Sequence, residues 1–258
     1  MEPKTRSGCR LTQSAVIILL TTCLTMSAQT KDKEAVKQRV LRASHLSRIN
    51  DVEMRPWHLK ASFQLYDSKG KPSEAGTIEE WWGRLTLWKL RIESPSYTST
   101  IIENQDGDFR TQGTGLVPLP IRALESSVVY PMPMGEDLKG ATPHLSHVKL
   151  DRISLDCIQS DEPPIPLSLM PTFCLDPSSD VLRAIYSSNS RRLLRNKLKD
   201  FQGHSAALSV TSEEGQLKTS KVEVTELTEI PLTENLFTPS TDMKRATDMH
   251  TLRVTTAR

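Results

Sequence analysis

Trp57-His58-Leu59-Lys60-Ala61-Ser62-Phe63-Gln64-Leu65-Tyr66 alternates strictly: Trp57, Leu59, Ala61, Phe63 and Leu65 are apolar, and His58, Lys60, Ser62 and Gln64 separate them. A period of two is the mark of a strand with one face on a core and the other toward solvent. The segment Asp67 to Ser73 is a loop by its Asp, Ser, Gly and Pro content. Ala75 to Trp82 follows as the hairpin partner. Leu85 to Glu93, Tyr97 to Glu103 and Phe109 to Gln112 read as further strands, the last two joined through Asn104-Gln105-Asp106-Gly107-Asp108.

Further along, Pro118 to Val129 is expected to form a short helix, with Pro at its first turn and Pro131 and Pro133 beyond its end. Strand patterns return at His147 to Ile158, Val181 to Ser187, Leu193 to Lys199, Ala206 to Thr211 and Leu217 to Leu227, with Glu213 to Gln216 turning the last pair. On the other side of the opening strand, Asp32 to Ile49 predicts a helix. Asp32 is available as N-cap, and Ala35, Val36, Val40, Leu41 and Ala43 make a narrow apolar stripe. The pattern describes an α+β, mainly β fold: an antiparallel meander with one or two helices covering a face. Polar, aperiodic residues from Thr241 onward read as a flexible tail, so residues 29–240 are expected to form one domain and 241–258 the tail.

Residues 1–28 have the build of an export signal: Lys4, Arg6 and Arg10, an apolar run from Ala15 toward Leu24, then Ser27 and Ala28. A spanning helix needs roughly 20 consecutive apolar residues, and Thr21, Thr22 and the charged run from Lys31 to Glu34 close this one early. Cleavage near Ala28 is the expectation; lipid anchoring at Cys23 is the alternative. The signal holds three basic residues and one acidic residue, Glu2, so the 33 Lys/Arg and 31 Asp/Glu of the whole chain become a neutral mature protein. Nucleic-acid binders carry a basic excess, and none is present in bulk. The run Arg191 to Lys199 is basic and is expected to be a solvated strand face. Of four cysteines, Cys157 and Cys174 survive cleavage, and an even count in an exported chain predicts a disulfide pinning the proline-rich segment between them.

The chain lacks the sequence signatures of a phosphate loop, a nucleophile elbow, a zinc-protease helix and a dinucleotide fold. No cofactor is expected. His144 and His147 are three apart, but Pro143 argues against the helix that would bring them together. In Glu79-Glu80-Trp81-Trp82 the two tryptophans must point to opposite faces of a strand, as must the two acids. One tryptophan enters the core; the other needs a helix, a ligand or a partner. The acids read as exposed groups near a turn, since a glycosidase pair has to converge on one bond.

Pro56 to Gln64 together with Gly76 to Trp82 resembles a family of exported envelope proteins from acidobacteria-like bacteria. Leu155-Asp156-Cys157, Pro171 to Asp176 and Phe201-Gln202-Gly203 agree with that pattern in the same order. In many relatives this region precedes a TonB-type energy-transducer domain. The region also resembles the lipoprotein-carrier fold of the Lol system, a curved antiparallel sheet, or half-barrel, closed by helices around an apolar cavity. This resemblance implies a periplasmic binding module, with Trp57, Phe63, Trp81 or Trp82, and Leu87 near the cavity. The partner it implies is a lipid, acyl chain or lipoprotein; the alternatives are an envelope scaffold that binds protein partners and a hydrolase with an unfamiliar site.

Overall fold

The computed structural model describes residues 33–111, 116–133, 142–150, 152–161, 171–187 and 191–246. The export signal, Cys23, most of the proline-rich segment and the end of the tail lie outside the described residues. Among the described residues, thirteen strands form one open antiparallel sheet. The first five are β1 (Trp57–Tyr66), β2 (Pro72–Arg84), β3 (Leu87–Glu93), β4 (Thr98–Asn104) and β5 (Gly107–Thr111). Then come β6 (Thr142–Leu150), β7 (Ile153–Asp161), β8 (Thr172–Leu175), β9 (Leu182–Tyr186), β10 (Arg191–Phe201), β11 (His204–Glu214), β12 (Leu217–Glu229) and β13 (Met243–Arg245). Helix α1 spans 33–47 and α2 Leu119–Val129; a 3-10 turn covers Glu234–Phe237. No helix among the described residues is long and apolar enough to cross a membrane.

The spatial order β13-β5-β4-β3-β2-β1-β12-β11-β10-β9-β8-β7-β6 shows how the chain builds the sheet. From the centre, β1 to β5 walk outward to one edge; the chain then starts again at the far edge, and β6 to β12 walk back until β12 pairs with β1. Gln202 and Gly203, both at positive φ (56° and 84°), form the two-residue turn between β10 and β11 whose twist matches the flanking strands. Gly76 is required by space: a Cβ there would lie 2.6 Å from the Phe63 ring and 2.3 Å from the Glu93 carbonyl.

The helices cover one face, here called inner. The main core unites inner side chains of β1 to β3 and of β10 to β12, including Trp57, Leu59, Phe63, Trp82 and Trp88, with Ile121, Leu124 and Val128 of α2. A second cluster joins Val40 and Ala43 of α1 to Ile158, Phe173, Leu175 and Leu182. On the outer face, the Cys157–Cys174 disulfide sits among Leu155, Ala184 and Leu194, and Phe237 of the 3-10 turn packs on Leu87 and Ile102.

Several expectations change. The stretch read as one strand, His147 to Ile158, belongs to two, because β6 runs from Thr142 to Leu150 and β7 reverses against it with Cys157 opposite Ser146. Residue 243 does not begin a frayed tail: Met243–Arg245 pair with Phe109–Thr111 and close the β5 edge. Main-chain pairing needs no periodicity, so composition gave no sign of it. The run Arg191 to Lys199 is not a wholly solvated face, since Arg195 is 1% exposed. Glu80 is not an exposed acid either; it is fully buried on the inner face opposite Leu59 and Leu90.

Candidate functional site

The alternation of β1 and β2 decides where each candidate side chain goes. Trp57 and Trp82 are cross-strand partners on the inner face, their rings stacked at 6.1 Å and 15°. Trp57 donates its indole N–H to the carbonyl of Ile49, just past α1, at 2.6 Å. Phe63 lies farther along the same face over Gly76. These three are 0%, 1% and 3% exposed, so in this state they form a packed interior under α2. Trp81 and Leu87 are on the opposite face. Trp81 lies between His58, stacked at 4.9 Å, and Lys89, whose ammonium is 5.0 Å from the ring. Glu79 accepts from His58 Nε2 at 2.9 Å and lies 3.4 Å from Lys60. The outer tryptophan is therefore matched by its own strand neighbours, and Leu87 by Phe237. Of the five candidates, the structure brings together Trp57, Phe63 and Trp82 on the inner face and, separately, Trp81 and Leu87 on the outer.

The two helices are tied to each other where they end. Ile49 N–H donates to the carbonyl of Val129 (2.9 Å), Ser44 Oγ to that of Pro133 (2.5 Å) and Arg48 to that of Met132 (3.2 Å). α1 is fixed to the sheet by Arg39, which bridges Asp156 and Asp180 at 2.7 Å each. Burial alone would raise the Asp156 carboxyl, but hydrogen bonds from Arg39 and His147 outweigh it and hold the group below the usual aspartate value. His144 and His147 sit on strand β6, and His147 serves Asp156 rather than a metal. Among the described residues, no group of three or more His, Cys, Asp or Glu could hold a metal ion.

At the C-terminal end of α1 lies an open cleft of about 360 Å³, bounded by the β8–β9 turn, the end of β10 and the β10–β11 turn. Next to it, Arg195 reaches across the inner face, and its Nη2 donates to the carbonyls of Ser47 and Ser205, both at 3.3 Å. His204 Nδ1 donates to the His45 carbonyl at 2.9 Å; a carbonyl only accepts, so this nitrogen carries the proton. Both side chains satisfy carbonyls that the end of a helix leaves open. Nε and Nη1 of Arg195 have no hydrogen-bond partner among the described residues. Burial, with a smaller contribution from the neighbouring positive Arg183, pushes its pKa down to about 9. Nothing in the run itself marks this residue: among five cations between Arg191 and Lys199, one strand position facing inward looks like its neighbours. Only the alternation that makes Leu193 partly inner could have marked Arg195 as inward-facing.

No family model matches the chain, and no curated protein matches it. Solved structures do. A LolA superfamily protein from Nitrosomonas europaea matches at a TM-score of 0.50 and 10% identity, over 79% of this chain and 97% of that one. A putative outer membrane lipoprotein-sorting protein domain from Vibrio parahaemolyticus matches at 0.49 and 12%, over 78% and 97%. A DUF1329 family protein from Desulfovibrio piger matches at 0.49 and 9%, over 80% and 97%. At such identities the likeness is one of fold alone: the chain has a mainly β, lipoprotein-carrier-like fold.

Proposed function

We propose that this protein is an exported, non-enzymatic module of the cell envelope that binds an acyl chain, a lipid or a lipoprotein between its helices and the inner face of its sheet. One observation carries the reading. The chain's largest apolar side chains line the inner face of a continuous sheet, and what covers them is a pair of helices joined to each other rather than a second sheet. A cover held by side-chain packing can shift without breaking a single ladder hydrogen bond. The packed interior is then the closed, empty state, and an acyl chain takes the place of α2 against Trp57, Phe63 and Trp82. The export signal in the sequence and the carrier-like fold both support an extracytoplasmic setting.

The test is titration with a fatty acid bearing a nitroxide along its chain, read by tryptophan fluorescence. Three of the four tryptophans, Trp57, Trp82 and Trp88, are in the main cluster, so entry of the chain quenches most of the emission and does so saturably. Emission that falls only in proportion to bulk collisions contradicts the proposal. A second reading, an interaction module for an envelope protein, is favoured by the terminal strand β6, whose Leu145 and Val148 are 42% and 37% exposed. A Leu145→Lys, Val148→Lys double variant that recovers the same envelope proteins as the parent would sink that reading.

A further inference from the structure

We infer that the ligand carries an oxyanion headgroup, a carboxylate or a phosphate, and that this group docks in the cleft at the C-terminal end of α1 against Arg183 and Lys199, with Arg195 behind them. The inference rests on the carrier reading above and specifies the chemistry of its ligand.

The cleft joins apolar and cationic surface. Leu46, Val181 and Leu198 line it alongside Arg183 and Lys199. Leu198 also packs against the main inner cluster, so the cleft floor is continuous with the interior that would receive an acyl chain. Two carboxylates, Asp176 and Asp200, also line the cleft, each held by hydrogen bonds within its own turn. Asp176 accepts from the backbone and hydroxyl groups of both Ser178 and Ser179 in its own turn, and Asp200 accepts from the Gly203 amide at 3.4 Å. Arg183 and Lys199 make no hydrogen bond or ion pair among the described residues; Lys199 only overhangs the Phe201 ring at 5.9 Å.

Arg195 completes the argument. A guanidinium 1% exposed, with two of its three nitrogens lacking an acceptor and no ion pair with a carboxylate among the described residues, is an uncompensated buried cation. Such a group is costly to keep unless a counter-charge arrives. Its acceptor Ser205 is also a wall of the cleft, and Arg183, on the cleft's other side, is near enough to depress its pKa. A bare helix C-terminus would repel an anion, but the carbonyls of His45 and Ser47 are already taken by His204 and Arg195. Arg183 and Lys199 thus line one small cleft together with apolar residues, and the buried Arg195 lies next to it, bonded to its wall residue Ser205. That arrangement fits a negatively charged head on an apolar tail.

The experiment is calorimetric titration of the exported protein with decanoate, decyl phosphate, 1-decanol and inorganic phosphate, repeated on an Arg183→Gln, Lys199→Gln variant. Arg183 is partly exposed and Lys199 exposed, so this variant keeps its fold, and a melting curve matching the parent checks it. The expected result is that decanoate or decyl phosphate binds about tenfold or more tighter than 1-decanol, and that the variant loses this preference while binding 1-decanol unchanged. An Arg195→Lys variant, which keeps the buried charge, retains the preference. If all ten-carbon chains bind equally, the carrier reading stands and the headgroup inference falls. If none binds, both fall. Inorganic phosphate binding as tightly as decyl phosphate overturns the inference in favour of a free-anion site.

Discussion

Single side chains here are constrained mainly by the inner face. Gly76→Ala would drive a methyl into the Phe63 ring and the Glu93 carbonyl. Overpacking of this kind costs about 1–3 kcal/mol, and the expected result is a fall of that size in unfolding free energy by urea titration. Arg195 should behave in the opposite way. Replacing an unpaired buried cation by an apolar chain of similar length is commonly neutral or stabilising, so Arg195→Met is expected to gain about 2 kcal/mol near pH 7. The pH dependence follows from the depressed value. With the folded pKa pushed down to about 9, well below that of an exposed guanidinium, the penalty of the charged form is full below pH 9 and is relieved as pH rises from there. The advantage of Arg195→Met over the parent should therefore shrink above pH 9; an advantage that grows there contradicts the assignment. Trp81 and Trp82 were separable in the sequence because adjacent strand residues face apart. Which of the two entered the core was not, since that depends on the register of β2 against β1.

At the level of elements, docking of α1 depends on Arg39 and its two aspartates. Arg39→Ala removes the guanidinium that Asp156 and Asp180 share, leaving Arg42 on Asp180, and is expected to cost about 2 kcal/mol, seen as lost hydrogen-exchange protection over 33–47. Asp156 is held below its ordinary value, so its contribution is present above pH 3.8 and is lost as pH falls through the depressed folded value. Acid should accordingly loosen α1, and protection there that does not fall at all as pH is lowered past the usual aspartate value would contradict this. The disulfide joins directly paired residues of β7 and β8 across a separation of 17. Its removal by Cys157→Ser, Cys174→Ser should cost about 3 kcal/mol in unfolding free energy. Elements with a clean period were legible in advance: β1, β2, the body of α1, and α2 with its leading proline. Those made by pairing alone were not. β8 is four residues beside a proline-rich stretch, β13 is three, and β6 exposes nearly every side chain, so none has an apolar rhythm to read.

For the whole molecule, one extended sheet and two helices joined at their ends make a fold whose largest apolar side chains lie on the inner face, the surface that the proposed function uses. The candidate set was half legible for a physical reason: a ligand-lined interior and a dry core demand the same residues, so Trp57, Phe63 and Trp82 could be named while their present state, closed under α2, could not. The cleft beside Arg195 was invisible because it is assembled from α1, two turns and the end of β10, which are distant in sequence. Whether that interior opens to hold an acyl species is the centre of the account. Native mass spectrometry of protein recovered from the periplasm of an exporting host, followed by organic extraction, addresses it most directly. The account predicts a reproducible bound acyl species that is lost when Trp82 is replaced in a protein that still folds. A single mass equal to the disulfide-bonded chain alone, with nothing in the extract, would contradict it.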